Sequence, residues 1–116
     1  MYREIEVGST TVPMEANAAT PIRYKMLFGK DLLTEFRYAE EDTARVSDCI
    51  PELAYIMAMQ AAKTTGSMSL DGYLTWLEQF EPLDLLNAGG AIATLYTDNG
   101  VTTSDPKKKA DRPSDK

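Results

Sequence analysis

The chain has 116 residues, 43% of them hydrophobic, which is enough for one domain with a core and too little for two ordinary ones. Its net charge is −6: residues 1–100 hold 7 basic and 15 acidic side chains, against 5 basic and 3 acidic in 101–116, so the body repels nucleic-acid phosphate. The absence of histidine removes the commonest general base and metal ligand, and no apolar run reaches the ~18 residues of a membrane span.

The opening, MYREIEV, is charged and strand-like and lacks the apolar stretch of a signal peptide. With a single cysteine, Cys49, no intrachain disulfide can form. Both features lead to the expectation of a cytoplasmic protein in a reducing compartment. From Tyr2 to Met14 apolar residues alternate, as Ile5 and Val7, then Val12 and Met14, with Gly8-Ser9 between them. That pattern predicts a β-hairpin over 2–14. Two strands are barely stable alone, so the hairpin needs helices or a partner beside it.

Thr20-Pro21 predicts a helix start, with Thr20 as cap and proline in the first turn. Ile22, Met26 and Leu27 are expected on its apolar face, with Arg23, Tyr24 and Lys25 around the rest. Gly29 ends it, and Asp31 is a plausible cap for a second short helix burying Leu32, Leu33 and Phe36. Glu40 to Asp48 is polar and predicts a loop or frayed end. Ser47 or Asp48 then caps a third helix with Pro51 in its first turn, running to about Thr65 and stopping at Gly66. Ile50, Leu53, Ala54, Met57, Ala58 and Ala61 follow helical spacing there, with Ile56 and Met59 off that stripe. This helix is the candidate centre of the domain.

A fourth helix opens at Ser69 or Asp71, with Leu70, Tyr73, Leu74, Leu77 and Phe80 as its stripe. Pro82 separates it from a fifth, whose apolar face is Leu85, Ala88, Ile92, Leu95 and Tyr96 and which Asp98-Asn99-Gly100 ends. Gly89-Gly90 inside that helix predicts a kink or a close backbone approach. Residues 101–116 show no apolar periodicity and read as a disordered polar tail. The expected architecture is therefore mainly α with a short N-terminal β-hairpin, an α+β bundle of about five helices filling residues 1–100.

The residues offer little chemistry. One cysteine without histidine leaves no zinc site and no Cys-His nucleophile within a single chain. No phosphate-binding glycine loop follows a strand. Glu40, Glu41 and Asp42 read as a solvated acidic turn, because hard-metal loops space their ligands, and Glu78 and Glu81 read as surface residues. Cys49 reads as an inert small hydrophobe. The expectation is a binding protein with no catalytic residues, no cofactor and no metal. Candidate partner-binding residues are Tyr24, Leu27 and Phe28, the adaptable Met57 and Met59, Trp76, which is open between interface and core, and Phe80.

A β-hairpin followed by TPIRYKMLFGKDLLTEF and an acidic helical body resembles the tail assembly chaperones of long-tailed bacteriophages, in particular the group of phages and prophages of Gram-positive bacteria. The residues that carry the resemblance are Arg23, Tyr24, Phe28, Gly29, Lys30, Asp31, Leu32 and Leu33. It covers about residues 2–37, and the later helices in general character only. The resemblance implies a non-enzymatic protein of the host cytoplasm that coats the long, apolar, helical tape measure protein and is absent from the finished virion. Self-association is compatible with it. It also implies a longer form made by ribosomal frameshifting, whose added domain contacts the major tail protein. Lys107, Lys108 and Lys109 fit a slippery A-rich message just before the end of this sequence. An interrupted A run, or no overlapping downstream frame in the gene, would remove that idea. The alternative is another phage morphogenesis component, such as a head–tail connector protein.

Overall fold

The computed structural model describes residues 1–39 and 43–101, so the predicted acidic turn at Glu40–Asp42 and nearly all of the predicted tail, including Lys107–Lys109, lie outside the described residues. Strands β1 (Tyr2–Val7) and β2 (Thr10–Glu15) form an antiparallel hairpin in which Ile5 faces Val12 and Val7 faces Thr10. The loop is Gly8-Ser9, with a positive φ of 63° at Gly8 only, as in a type II′ turn. Ile5, Val7, Val12 and Met14 are buried and the intervening side chains are exposed, as the alternation requires. The apolar side of β2 lies along the longest helix, α3 (Thr43–Ala62).

Helix α1 (Thr20–Phe28) has Pro21 in its first turn. Thr20 is its first residue rather than its cap. The buried Thr20 hydroxyl accepts instead from the Asn17 N–H at 3.0 Å and from Gln60 Nε2 at 2.9 Å. Gly29 ends the helix at φ 72°, with its N–H bonded to the Lys25 carbonyl at 2.8 Å. Two residues on, the Asp31 carboxylate accepts from the Thr34 N–H at 3.0 Å and hydroxyl at 2.7 Å and so closes the first turn of α2 (Leu32–Ala39). These bonds hold the Asp31 carboxyl below its ordinary range. Helix α2 buries Leu32 and Glu35, half-buries Phe36 and leaves Leu33 exposed, so only part of its expected apolar side is used.

Helix α3 starts at Thr43, ahead of both expected caps, and Pro51 lies inside it. Proline there removes the bond to the carbonyl four residues back, at Ser47, which is exposed, so water can take its place. The helix ends at Ala62 and not at Gly66. Lys63 takes the left-handed conformation at φ 60°, its N–H bonds the Gln60 carbonyl at 3.2 Å, and the Thr64 N–H bonds the Met59 carbonyl at 3.0 Å. This is the glycine-type double stop made with a lysine. Lys63→Gly is therefore expected to raise stability by about 0.5–1 kcal/mol, read as an upward shift of the urea midpoint.

After a 3₁₀ turn (Thr65–Ser67), the Ser69 hydroxyl accepts from the Gly72 N–H at 2.8 Å and caps α4 (Leu70–Leu77). The expected fifth helix is two: a single turn, α5 (Asp84–Asn87), and α6 (Gly89–Val101). The glycine pair opens α6 instead of kinking one helix, and α6 runs past the expected stop at Asp98-Asn99-Gly100. Leu85, Ala88, Ile92 and Leu95 are buried as the spacing predicts. The hairpin's inner face, α1, α2, α5 and α6 bury residues in a core around Leu53, Ala54, Ile56 and Met57 of α3, all at 0% exposure, and α4 packs the half-buried Trp76 and Leu77 against it.

Candidate interaction surfaces

Helices α1 and α4 both pack on α3, and each turns its aromatic residues towards it. In α1, Tyr24 is fully buried and Leu27 and Phe28 are half-buried, while Ile22 and Met26 are 60% and 81% exposed. Of the face expected from the sequence only Leu27 packs inward; Ile22 and Met26 face water and Tyr24, expected outside that face, is core. In α4 and just beyond, Tyr73, Trp76, Leu77 and Phe80 pack inward, whereas Leu70 and Leu74 are 57% and 58% exposed. Of the expected stripe, Tyr73, Leu77 and Phe80 thus do face inward, and Trp76 joins them at equally helical spacing where Leu70 and Leu74 were expected.

The aromatic faces join. Tyr24, Phe28, Tyr73, Tyr55, Trp76 and Phe80 form a continuous file of rings with successive centroids 5.4, 5.1, 5.4, 5.6 and 5.0 Å apart. Their planes are tilted or edge-on, the arrangement that the ring quadrupole favours. The file stitches α1 and α4 to α3 through Tyr55, which is 2% exposed. Large rings bury more area than Leu70 and Leu74 would, and this file decides which side of each helix turns inward.

The candidate contact residues are accordingly dispersed. Tyr24 and Met57 are at 0% exposure and cannot present a surface; both are core residues. The Tyr24 hydroxyl donates to Glu52 at 2.7 Å, and Glu52 also pairs with Lys30 at 2.9 Å. Leu27, Phe28, Met59, Trp76 and Phe80 are half-buried against the core. Trp76 is half-buried: one side stacks in the file, and it also lines a shallow groove with Met59, Tyr2 and Pro13. A second groove of about 330 Å³ runs between α1 and the 3₁₀ turn, lined by Arg23, Met26, Leu27, Thr65, Gly66 and Met68. The exposed Leu70 and Leu74 begin two residues beyond Met68. The sequence contained the signal for Ile22, Leu70 and Leu74 as surface residues only in the competing aromatic spacing.

Cys49 is 1% exposed, and burial, with the carboxylates of Glu52 and Glu35, pushes its thiol up to about 11 against the pull of the Tyr24 hydroxyl and Lys30. A raised acid contributes stability below its unfolded value of 9.0, and this is lost as pH rises towards 11. Stability is therefore expected to fall across that window by roughly 2–3 kcal/mol at most from this group. Chemical denaturation of wild type and Cys49→Ala at pH 8 and pH 10.5 checks it: the variant should show the smaller drop.

Among the described residues no group of three or more His, Cys, Asp or Glu could hold a metal ion, and no described helix is long and apolar enough to cross a membrane. Compared with protein-family models, with curated proteins and with solved structures, the chain shows no match.

Proposed function

We propose that this chain is a non-enzymatic tail assembly chaperone, of the kind its residues 2–37 resemble, which holds a long, apolar, helical tape measure protein in solution while the tail is built. It acts in the cytoplasm of the bacterial host and is left out of the finished virion. A longer frameshifted form would extend its reach to the major tail protein.

The observation that carries this reading is the outward placement of two aliphatic pairs, Ile22/Met26 and Leu70/Leu74, each one helical turn apart, with Met26 itself lining a groove that also holds Met68. Each such side chain, 57–81% exposed, forgoes more than half of the roughly 1.5–3 kcal/mol that full burial gives, and a small domain has little to spare. Recognition of a helix by an apolar groove uses side chains of this kind and spacing. Flexible methionine suits a client whose sequence changes along its length.

Co-expression with the tape measure protein of the same phage tests the proposal. The client should move from the insoluble to the soluble fraction and co-purify. Met26→Glu combined with Leu74→Glu should abolish the rescue while the circular dichroism stays that of wild type, because both residues are exposed. No rescue by the wild type removes the proposal. Rings of fixed stoichiometry found in purified virions would instead favour a connector.

A further inference from the structure

Another groove, of about 410 Å³, opens between α3 and the stretch from α4 to α5, and it shares no residue with the groove beside Met26. Leu77, Phe80 and Leu85 give it apolar walls, and Asp48, Glu52 and Glu81 bring carboxylates to it. Glu52 is engaged by Lys30 and Tyr24. Asp48 and Glu81 are exposed, and neither side chain makes an ion pair with another described residue. Tyr73 lines the same groove, half-buried, and its hydroxyl makes no hydrogen bond within the described residues.

An apolar trough edged by two carboxylates without an ion pair, and a phenol without a hydrogen bond, among the described residues complements a long cation on an apolar stem. A lysine or arginine can lay its methylenes along Leu77 and Phe80 while its head reaches Asp48 and Glu81. The aromatic walls add cation–π attraction for the same head group. The acidic excess of the body draws such a partner in before contact.

We propose that this groove receives a lysine- or arginine-bearing turn of the helical client, so that the chain selects basic amphipathic helices over helices that are merely apolar. This rests on the chaperone reading above and adds the chemistry of the client. The contact is distinct from the aliphatic one: the first groove supplies apolar area, and this one supplies choice.

Fluorescence anisotropy with the full chain and two labelled amphipathic peptides tests it. Both peptides carry the same leucine stripe, one flanked by lysines and the other by glutamates. The lysine peptide should bind about tenfold more tightly or better. Asp48→Asn with Glu81→Gln should remove most of that preference, while Glu4→Gln with Glu6→Gln, exposed on β1 and equal in charge change, should leave it. Asp48→Lys with Glu81→Lys should turn the preference towards the glutamate peptide. Equal binding of both peptides, or an equal loss from the β1 control, overturns the proposal. Concentration-dependent sedimentation of the peptide-free chain that the Asp48/Glu81 variant abolishes would make a second copy the occupant, and overturns it too. If peptide selectivity fails while client rescue holds, this inference falls and the chaperone reading stands.

Discussion

Tyr24→Ala is expected to cost about 3–5 kcal/mol of folding stability, most of what a domain of this size commonly has. Three losses combine. The ring leaves a cavity at a site with 0% exposure, Phe28 loses the ring packed on it, and Glu52 loses the hydroxyl that holds it at 2.7 Å. Tyr24→Phe separates the terms. It keeps the ring and leaves Glu52 its Lys30 partner, so about 1 kcal/mol is expected. Met26→Ala, one turn-face away and 81% exposed, should stay within about 0.5 kcal/mol. Urea unfolding of the three variants reads all of this. If Met26→Ala were the costly one and Tyr24→Ala the silent one, α1 would be turned the other way and the account of both apolar pairs would fail.

Gln60→Leu is expected to cost about 2–4 kcal/mol even though it makes the position more apolar. The Gln60 amide is the junction of three elements. Its Nε2 donates to the Glu15 carbonyl at the end of β2 at 2.6 Å and to the Thr20 hydroxyl at the start of α1 at 2.9 Å. Its Oε1 accepts from Arg23 at 2.9 Å. Leucine fills similar space and satisfies none of these groups, and Gln60 and Thr20 are both buried. The loss should show in the urea midpoint and, by hydrogen exchange, as faster exchange in the hairpin than in the centre of α3. A midpoint within about 0.5 kcal/mol of wild type would mean that water replaces the amide at no cost.

Local signals were legible. Gly8, Gly29, Asp31 and Ser69 each do what backbone sterics and capping ask of them, and the alternation of Ile5, Val7, Val12 and Met14 fixed the hairpin's inner face. The centrality of α3 followed from apolar residues on most of its sides. What was not legible was a choice between two equally periodic faces. In α1 and α4 two overlapping apolar faces coexist, and the one holding the aromatic rings meets Tyr55 and Glu52, which belong to another helix. Periodicity is a property of one segment, and this choice is a property of three. The same blindness named the buried Tyr24 and Met57 as contact residues and missed that Ile22, Leu70 and Leu74 are exposed. Lys63 was invisible for a simpler reason: a lysine in the left-handed conformation is held there by the bonds around it, and nothing in its side chain announces it.

The dependence of the hairpin on α3 has a consequence for how the chain is made. The strands leave the ribosome before the helices, and the surface that covers Ile5, Val7, Val12 and Met14 is built from residues that follow much later. At translation rates of about 5–20 residues per second, the strands wait a few seconds for their helix. An isolated strand pair is too weak to settle meanwhile, so pairing and helix docking should occur together. A chain halted before α3 is complete would hold four unburied apolar side chains on two open strands. For a protein proposed to keep another chain soluble, the period of greatest exposure to misassociation is its own synthesis.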